Sequence, residues 1–472
     1  MNYTANIMAL EHNASLTSAE KVDTHRKALA LNLDPSTFGS FAEIGAGQEV
    51  ARWFLTVGGA SGTVAKTISA YDKQVSDDLY GSGSRYVSRQ RLGAILEHEW
   101  SQLLTQLQTS RGSQTRFFAF ADTVSARNHA GTNESHGWVG LRFQSAPKGP
   151  VNEILLHINM RDGSNALQQD AIGILGVNLV HAAFYQLQTT ESFFAGLREE
   201  LPKERIEIDF VDFHGPVFET WNRAAILAYL VQAGLADAVY FSSTGSVPPT
   251  EALHNKAVVL APGSFNHVDS SHGEIHLQLL SAGVQELRRE LGTSNSEPIG
   301  IFSVSAASLT PDSPAPDMAD LLLRVNALLA QGGNVLLFRE RELYSMTALV
   351  NRYTQAPVRF VVGLSLLIRA FHDPYSNLQG RHLEALSRLF AQNVRIYAYP
   401  MRPSDLQEAI SGYAPHDLEW RETDGWVSAA QLLLPPPLSH LHGYLLASNF
   451  LVPMQFRASV GVSAGTDVET AA

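Results

Sequence analysis

Ala257-Val258-Val259-Leu260-Ala261-Pro262-Gly263-Ser264-Phe265-Asn266-His267-Val268-Asp269-Ser270-Ser271-His272 decides the fold. It opens as a continuous apolar run of strand length. Gly263 ends the run in a turn, and a helical pattern starts near Glu274. A buried strand, a glycine turn and a helix N-terminus make an anion site, because unpaired backbone N–H groups converge there. A purely local reading also fits. Ser271-x-x-Glu274 is a capping box, and Gly263 is then only a strand-end turn.

The same alternation runs outward from this stretch. Short apolar runs lie at residues 238–241, 257–260, 299–304, 334–338, 358–362 and 394–399. Amphipathic helical patterns at 274–291, 317–331, 342–353 and 378–391 separate most of them. That rhythm predicts one parallel sheet covered on both faces, a doubly wound, Rossmann-like α/β domain over 236–456. Ligands in such sheets bind at the carboxyl ends of strands, near a topological switch point.

Residues 22–235 lack clean alternation and read as an α+β domain. Helices are expected at 23–33, 48–55, 63–71, 89–107, 166–186, 191–200 and 219–233. Strands are expected at 41–44, 116–121, 137–143, 153–158 and 206–213, with antiparallel pairing among the middle three. The series Phe41, Ile44, Val50, Trp53, Phe54 and Val57 predicts that 41–67 is packed. Residues 1–21 read as a mobile leader and 457–472 as a disordered tail.

The 472 residues allow a large core and two to three domains. The formal charge of −12 argues against broad nucleic-acid binding but leaves room for a local phosphate pocket. The absence of cysteine excludes disulfides, thiolate catalysis and iron–sulfur clusters. No signal peptide pattern opens the chain, and no apolar run approaches the roughly 20 residues of a membrane span. The expectation is a cytoplasmic protein with no nucleic-acid or membrane partner.

Residues 263–272 resemble the G-x-F-x-P-x-[HT]-x-G-H signature of the HxGH nucleotidyltransferases, which include nicotinamide mononucleotide adenylyltransferases. Gly263, Ser264, Phe265 and Asn266 match its opening, and His272 stands at its final histidine. The resemblance implies that His272 contacts phosphate as the catalytic residue and that ATP with Mg is the cofactor. Electrostatic stabilisation of the transferring phosphate needs no covalent intermediate. His267, Asp269 and Ser271 depart from the signature. A carboxylate at Asp269 repels a triphosphate unless a metal bridges them. The second motif of that family is echoed only by Phe302-Ser303-Val304-Ser305-Ala306-Ala307-Ser308, without its arginine. Arg339 and Arg341, after the run 334–338, are candidate phosphate-binding arginines. Equally, they read as a self-paired helix start.

Over residues 22–456 the chain is similar to an uncharacterised bacterial family. Phe41 to Arg52, Gly58 to Lys66, and Phe390 to Pro400 carry the likeness. Its members are labelled nicotinamide mononucleotide adenylyltransferase or TonB-dependent receptor. The receptor label conflicts with the sequence, because a β-barrel of that kind needs many amphipathic strands of about ten residues.

Three further patterns are candidates. Glu43-Ile44-Gly45-Ala46-Gly47 resembles the first motif of S-adenosylmethionine-dependent methyltransferases, with Gly45 and Gly47 at the cofactor, but lacks the third glycine. Gly58 to Thr67 has the Lys66-Thr67 pair of a P-loop with wrong glycine spacing, leaving Lys66 as an anion-binding candidate on a helix. His272 and His276 lie one helical turn apart, and with His267 and Asp269 they could hold a metal, although solvated helix histidines are the commoner outcome. The leading expectation is a nucleotide-binding, nucleotidyltransferase-like protein transferring adenylyl to a mononucleotide. The alternatives are a non-catalytic scaffold or regulatory pseudo-enzyme that keeps the fold, and a small-molecule site at 43–47. A homo-oligomer stays open.

Overall fold

A computed structural model describes residues 23–128, 133–265, 270–292, 297–307, 316–411 and 418–455, and for 270–273 the backbone alone. The chain divides into two compact units, Met1–Ile226 and Leu227–Ala472. The sequence reading draws the division at 235/236. No helix among the described residues is long and apolar enough to cross a membrane.

The first unit is built on α1 (Thr24–Leu33), β1 (Thr37–Ile44), α2 (Glu49–Thr56), β2 (Val64–Ile68), α3 (Lys73–Tyr80), α4 (Arg89–Arg111), β3 (Arg116–Ser125), β4 (His136–Gln144), β5 (Val151–Met160), α5 (Asn165–Tyr185), α6 (Thr190–Arg198) and β6 (Ile206–His214). Its sheet has the order β2-β1-β3-β4-β5-β6. β1 is parallel to β2 and β3, and the remaining pairs are antiparallel. Alternate strand residues serve opposite faces. Phe38, Phe117 and Ala119 pack on Trp100 and Leu103 of α4. Phe118 and Phe143 meet Phe184 of α5 edge-on. Helices thus cover both faces, which is why β3 is a continuous apolar run.

Two expectations are corrected here. Residues 63–71 are not helical. Ala60–Gly62 forms a 3-10 turn and Val64–Ile68 is the edge strand β2. The β-branched Val64, Thr67 and Ile68 favour extended backbone, and pairing with β1 fixes it. The helix expected at 219–233 is present but starts later, at Arg223. A 3-10 turn at Pro216–Phe218 precedes α7 (Arg223–Gln232). The segment 41–67 is packed, with Phe41, Val50 and Phe54 all at 0 % exposure.

The second unit contains β7 (Ala238–Phe241), α8 (Pro249–Leu253), β8 (Val258–Pro262), α9 (Ser270–Leu291), β9 (Ile299–Ser305), α10 (Met318–Ala330), β10 (Val335–Phe338), α11 (Leu343–Tyr353), β11 (Val358–Gly363), α12 (Leu364–His372), α13 (Arg381–Leu389), β12 (Val394–Tyr399), α14 (Pro403–Ile410), the two-residue strands β13 (Glu419–Trp420) and β14 (Leu432–Leu433), α15 (Leu438–Ala447) and β15 (Leu451–Pro453). The main sheet has the order β15-β12-β11-β8-β9-β10-β7. From β8 the chain steps outward through β9 and β10, then returns to lay β11, β12 and β15 on the other side. This is the doubly wound order, and the switch point falls between β8 and β11. The sheet is not wholly parallel as expected. β7 pairs antiparallel with β10 at the edge, a common addition to parallel sheets.

One buried ion cluster ties this sheet to α9. Arg359 of β11 is fully buried and holds Glu290 through Nε at 3.0 Å and through Nη2. Its Nη1 donates to the carbonyls of Val358 and Asn393. Tyr397 donates to Glu290 Oε2 at 2.6 Å, and Arg395 pairs with the same carboxylate.

Candidate functional site

A cleft opens where the carboxyl ends of β8, β9, β11 and β12 meet. Its lining includes Gly263, Ser264 and Phe265 after β8, Ser303 and Ser305 on β9, Arg341 after β10, Gly363 with Ser365 and Arg369 around the start of α12, and Tyr399 on β12. The site therefore sits at the switch point, where the chain geometry splays the loops apart.

The junction between β11 and α12 is its backbone centre. β11 ends at Gly363 and α12 begins at Leu364, with no loop between. The N-cap Gly363 supplies no side-chain hydrogen bond to the first turn. The first N–H groups of a helix lack intrahelical partners and carry the positive end of its dipole. The backbone of Gly363 approaches the Tyr399 side chain closely, since a Cβ there would lie 2.7 Å from Tyr399 Oη.

Ser303 is the second signal. It is 1 % exposed, lines the cleft, and its hydroxyl has no hydrogen-bond partner among the described residues. A buried unpaired hydroxyl is costly unless something else satisfies it. Two arginines, Arg341 and Arg369, line the cleft with no carboxylate among the described lining residues. Arg341 also pairs with Glu342 at 2.9 Å. The cleft has a volume of ≈ 120 Å³. That is small beside the roughly 300–1,000 Å³ of pockets that engulf a whole drug-sized ligand. The arrangement suits a single anionic group held at its inner end.

The candidates from the sequence separate clearly. Gly263, Ser264 and Phe265 are in the cleft wall. Phe265 is 3 % exposed with φ of 53°, an uncommon conformation for an aromatic residue, and it meets His276 and Phe302 edge-on at 5.1 and 5.4 Å. Arg341 is in the wall, but Arg339 is not. Arg339 instead pairs with Asp237 at 2.9 Å. Asn266, His267 and Asp269, and the side chains of Ser271 and His272, lie outside the described residues. Of the histidine set read for a metal, His276 alone has a described side chain. No metal-ligating cluster occurs among the described residues.

Gly45, Gly47 and Lys66 belong to the first unit. Gly45 has φ of 107°, and a Cβ there would strike the Val124 carbonyl at 2.2 Å. Its presence is explained by strand crowding without a cofactor. The N-terminus of α2 is occupied from within, because the Glu43 carboxylate accepts from the N–H groups of Val50 and Ala51 at 2.9 Å. Lys66 lies on β2, not on a helix, and pairs with Glu99 at 2.7 Å.

Ser303, Gly363, Ser365, Arg369 and Tyr399 escaped the sequence reading as site residues. Residues 302–308 stood out only as an echo of a transferase motif. The run from Val358 to Leu367 is continuously apolar enough to hide a strand-to-helix junction. Gly363 within that run was the available signal.

No protein-family model matches the sequence. The comparison with curated proteins gives no match. Among solved structures, the chain is similar to the competence/damage inducible protein CihA from Agrobacterium tumefaciens at 23 % identity, over 35 % of this chain and 98 % of that one, with a TM-score of 0.26. A competence or damage-inducible protein from Enterobacter asburiae follows at 11 % identity, 34 % and 95 % coverage and a TM-score of 0.25. A competence-damaged protein superfamily member from Klebsiella pneumoniae gives 10 % identity, 34 % and 96 % coverage and a TM-score of 0.25. Likenesses of this size leave the reading of the site to its own geometry.

Proposed function

We propose that the second unit binds the phosphate end of a nucleotide in the cleft between β8 and β11. The single observation that carries this reading is the buried Ser303 hydroxyl at the switch point, which has no partner among the described residues and shares the cleft wall with the start of α12, where the N-cap supplies no side-chain hydrogen bond. A phosphate oxygen there accepts from the Ser303 hydroxyl and from first-turn N–H groups of α12. Arg369 and Arg341 supply charge. The base and sugar lie along the open mouth, since the cleft volume of ≈ 120 Å³ takes little more than the phosphate.

Adenylyl transfer is the finer form of this proposal. It assigns His272 to the transferring phosphate, with ATP and Mg as cosubstrate and cofactor. The departures at His267, Asp269 and Ser271 favour the alternative, a nucleotide-binding scaffold that has lost turnover.

The test uses the full chain with ATP, AMP and inorganic pyrophosphate in thermal-shift titrations. A ligand at 100 times its dissociation constant stabilises by about 2.7 kcal/mol. Ser303→Ala and Arg369→Ala should each weaken the shift. No shift with any of the three ligands removes the reading. Pyrophosphate release from ATP with nicotinamide mononucleotide, lost in His272→Ala, separates enzyme from scaffold.

A further inference from the structure

The first unit holds a separate cavity of ≈ 200 Å³ that the nucleotide reading does not use. Phe38, Ala65, Leu103 and Leu107 form its apolar wall, and Ser40, Lys66, Glu99 and Arg111 bring polar groups to it. Ser40 and Lys66 are register partners on the parallel strands β1 and β2. Ser40 is 1 % exposed, and its hydroxyl has no hydrogen-bond partner among the described residues.

The charges are unequal. Glu99 is the one carboxylate among the described lining residues, and it is already engaged. Tyr80 donates to its Oε1 at 3.1 Å, and Lys66 sits 2.7 Å from its Oε2. Lys66 reaches Gln102 Oε1 as well, at 3.3 Å. An ammonium has three N–H donors, so one remains beyond these two contacts. Arg111 lies over the Phe38 ring at 4.2 Å. Two cations against one carboxylate leave the cavity with one net positive charge.

We propose that this cavity binds a small aliphatic monocarboxylate. The carboxylate accepts from the Ser40 hydroxyl and the Lys66 ammonium, and the hydrocarbon lies on Phe38, Leu103 and Leu107. One net positive charge matches one carboxylate. The apolar wall gains from a short chain and offers nothing to a free phosphate.

Hexanoate is the probe, titrated against the full chain by ligand-observed NMR and thermal shift. Butylammonium and inorganic phosphate serve as controls. Hexanoate should bind and neither control should. Ser40→Ala removes an unsatisfied hydroxyl, so it should fold normally and weaken hexanoate about tenfold. Ala65→Phe fills the cavity from the exposed edge strand and should block binding without touching a buried polar group. Absence of hexanoate binding, equal binding of butylammonium, preferential binding of phosphate, or unchanged affinity in both variants overturns the proposal. Nucleotide shifts from the second unit should be unaffected by either variant, so failure here is distinct from failure there.

Discussion

Glu43 and Asp122 stand directly opposite one another on the parallel strands β1 and β3, and each is 1 % exposed. Asp122 Oδ1 accepts from the Ile44 N–H at 2.9 Å, while Glu43 caps α2. Burial drives the Glu43 carboxyl up to about 7, aided by the Glu49 charge and opposed by the N–H groups it accepts from. Burial and then the Glu43 charge raise Asp122 well above the ordinary carboxylate range. Burial disfavours the charged form of both carboxyls, and each disfavours ionisation of the other.

Stability should therefore fall as pH rises from about 4.5 toward 7. The folded Glu43 binds its proton more tightly than the unfolded one, about 7 against 4.5. Its contribution is complete below 4.5 and is lost as pH rises through 7. At about 1.4 kcal/mol per pH unit, the loss by pH 8 is on the order of 3 kcal/mol. Thermal melts from pH 5 to 8 should show the decline, and Glu43→Gln should make it shallower, the part that remains coming from the raised Asp122 carboxyl. A Glu43→Gln profile with the original slope would falsify the assignment of the titrating group.

Arg359 should be far less replaceable than a surface arginine. It is fully buried, and its guanidinium serves Glu290 and two backbone carbonyls at once. Breaking one side of a buried pair costs about 3–5 kcal/mol. Glu290 retains Arg395 and Tyr397, so Arg359→Met should cost about 3 kcal/mol, at the low end of that range. Lysine cannot reproduce the planar fork, so Arg359→Lys should recover little. Urea unfolding of the full chain measures both, and near-native stability of the lysine variant would contradict this account.

The second unit was largely legible because its signal is periodic and local. Runs such as 394–399 are short, apolar and separated by amphipathic helices, so each declared itself as a strand. What stayed hidden depends on partners. β2 is a strand because β1 lies beside it, and Val64 to Ile68 carries no alternation that a helix could not also bear. β7 runs against its neighbour, and direction is invisible in four apolar residues. The Gly263 turn was legible as a candidate wall. The other wall, Gly363 to Arg369, was masked by the apolar continuity of β11 into α12. Ser303 matters only because nothing among the described residues satisfies it, and sequence carries no record of that.

Gly45→Ala separates a structural glycine from a cofactor-binding one. Alanine at φ of 107° is strained, and its Cβ meets the Val124 carbonyl at 2.2 Å. The variant should lose about 2 kcal/mol or more in thermal or urea unfolding. S-adenosylmethionine should shift the melting of neither this variant nor the parent. A clear shift of the parent by that cofactor would restore a small-molecule role for residues 43–47.

Gly363→Ala tests the floor of the cleft. The φ of −76° at this position is open to alanine, so the backbone itself accepts the change. The added Cβ nevertheless falls 2.7 Å from Tyr399 Oη and pushes the phenol toward the space in front of α12. Stability should change little, because a side-chain tip can move aside. Phosphate-end binding should weaken about tenfold, equivalent to about 1.4 kcal/mol, because that tip now intrudes where the anion meets the first-turn N–H groups. Tyr399→Leu removes both the phenol oxygen and the ring carbon Cζ, 2.9 Å from the added Cβ, and in the Gly363→Ala background it should restore most of the affinity for ATP or pyrophosphate. Calorimetric titration of the parent, both single variants and the double variant gives the coupling directly. Additive losses would mean that the phenol and the phosphate do not share this space, and the anion would then have to be placed on the Gly263 side of the cleft.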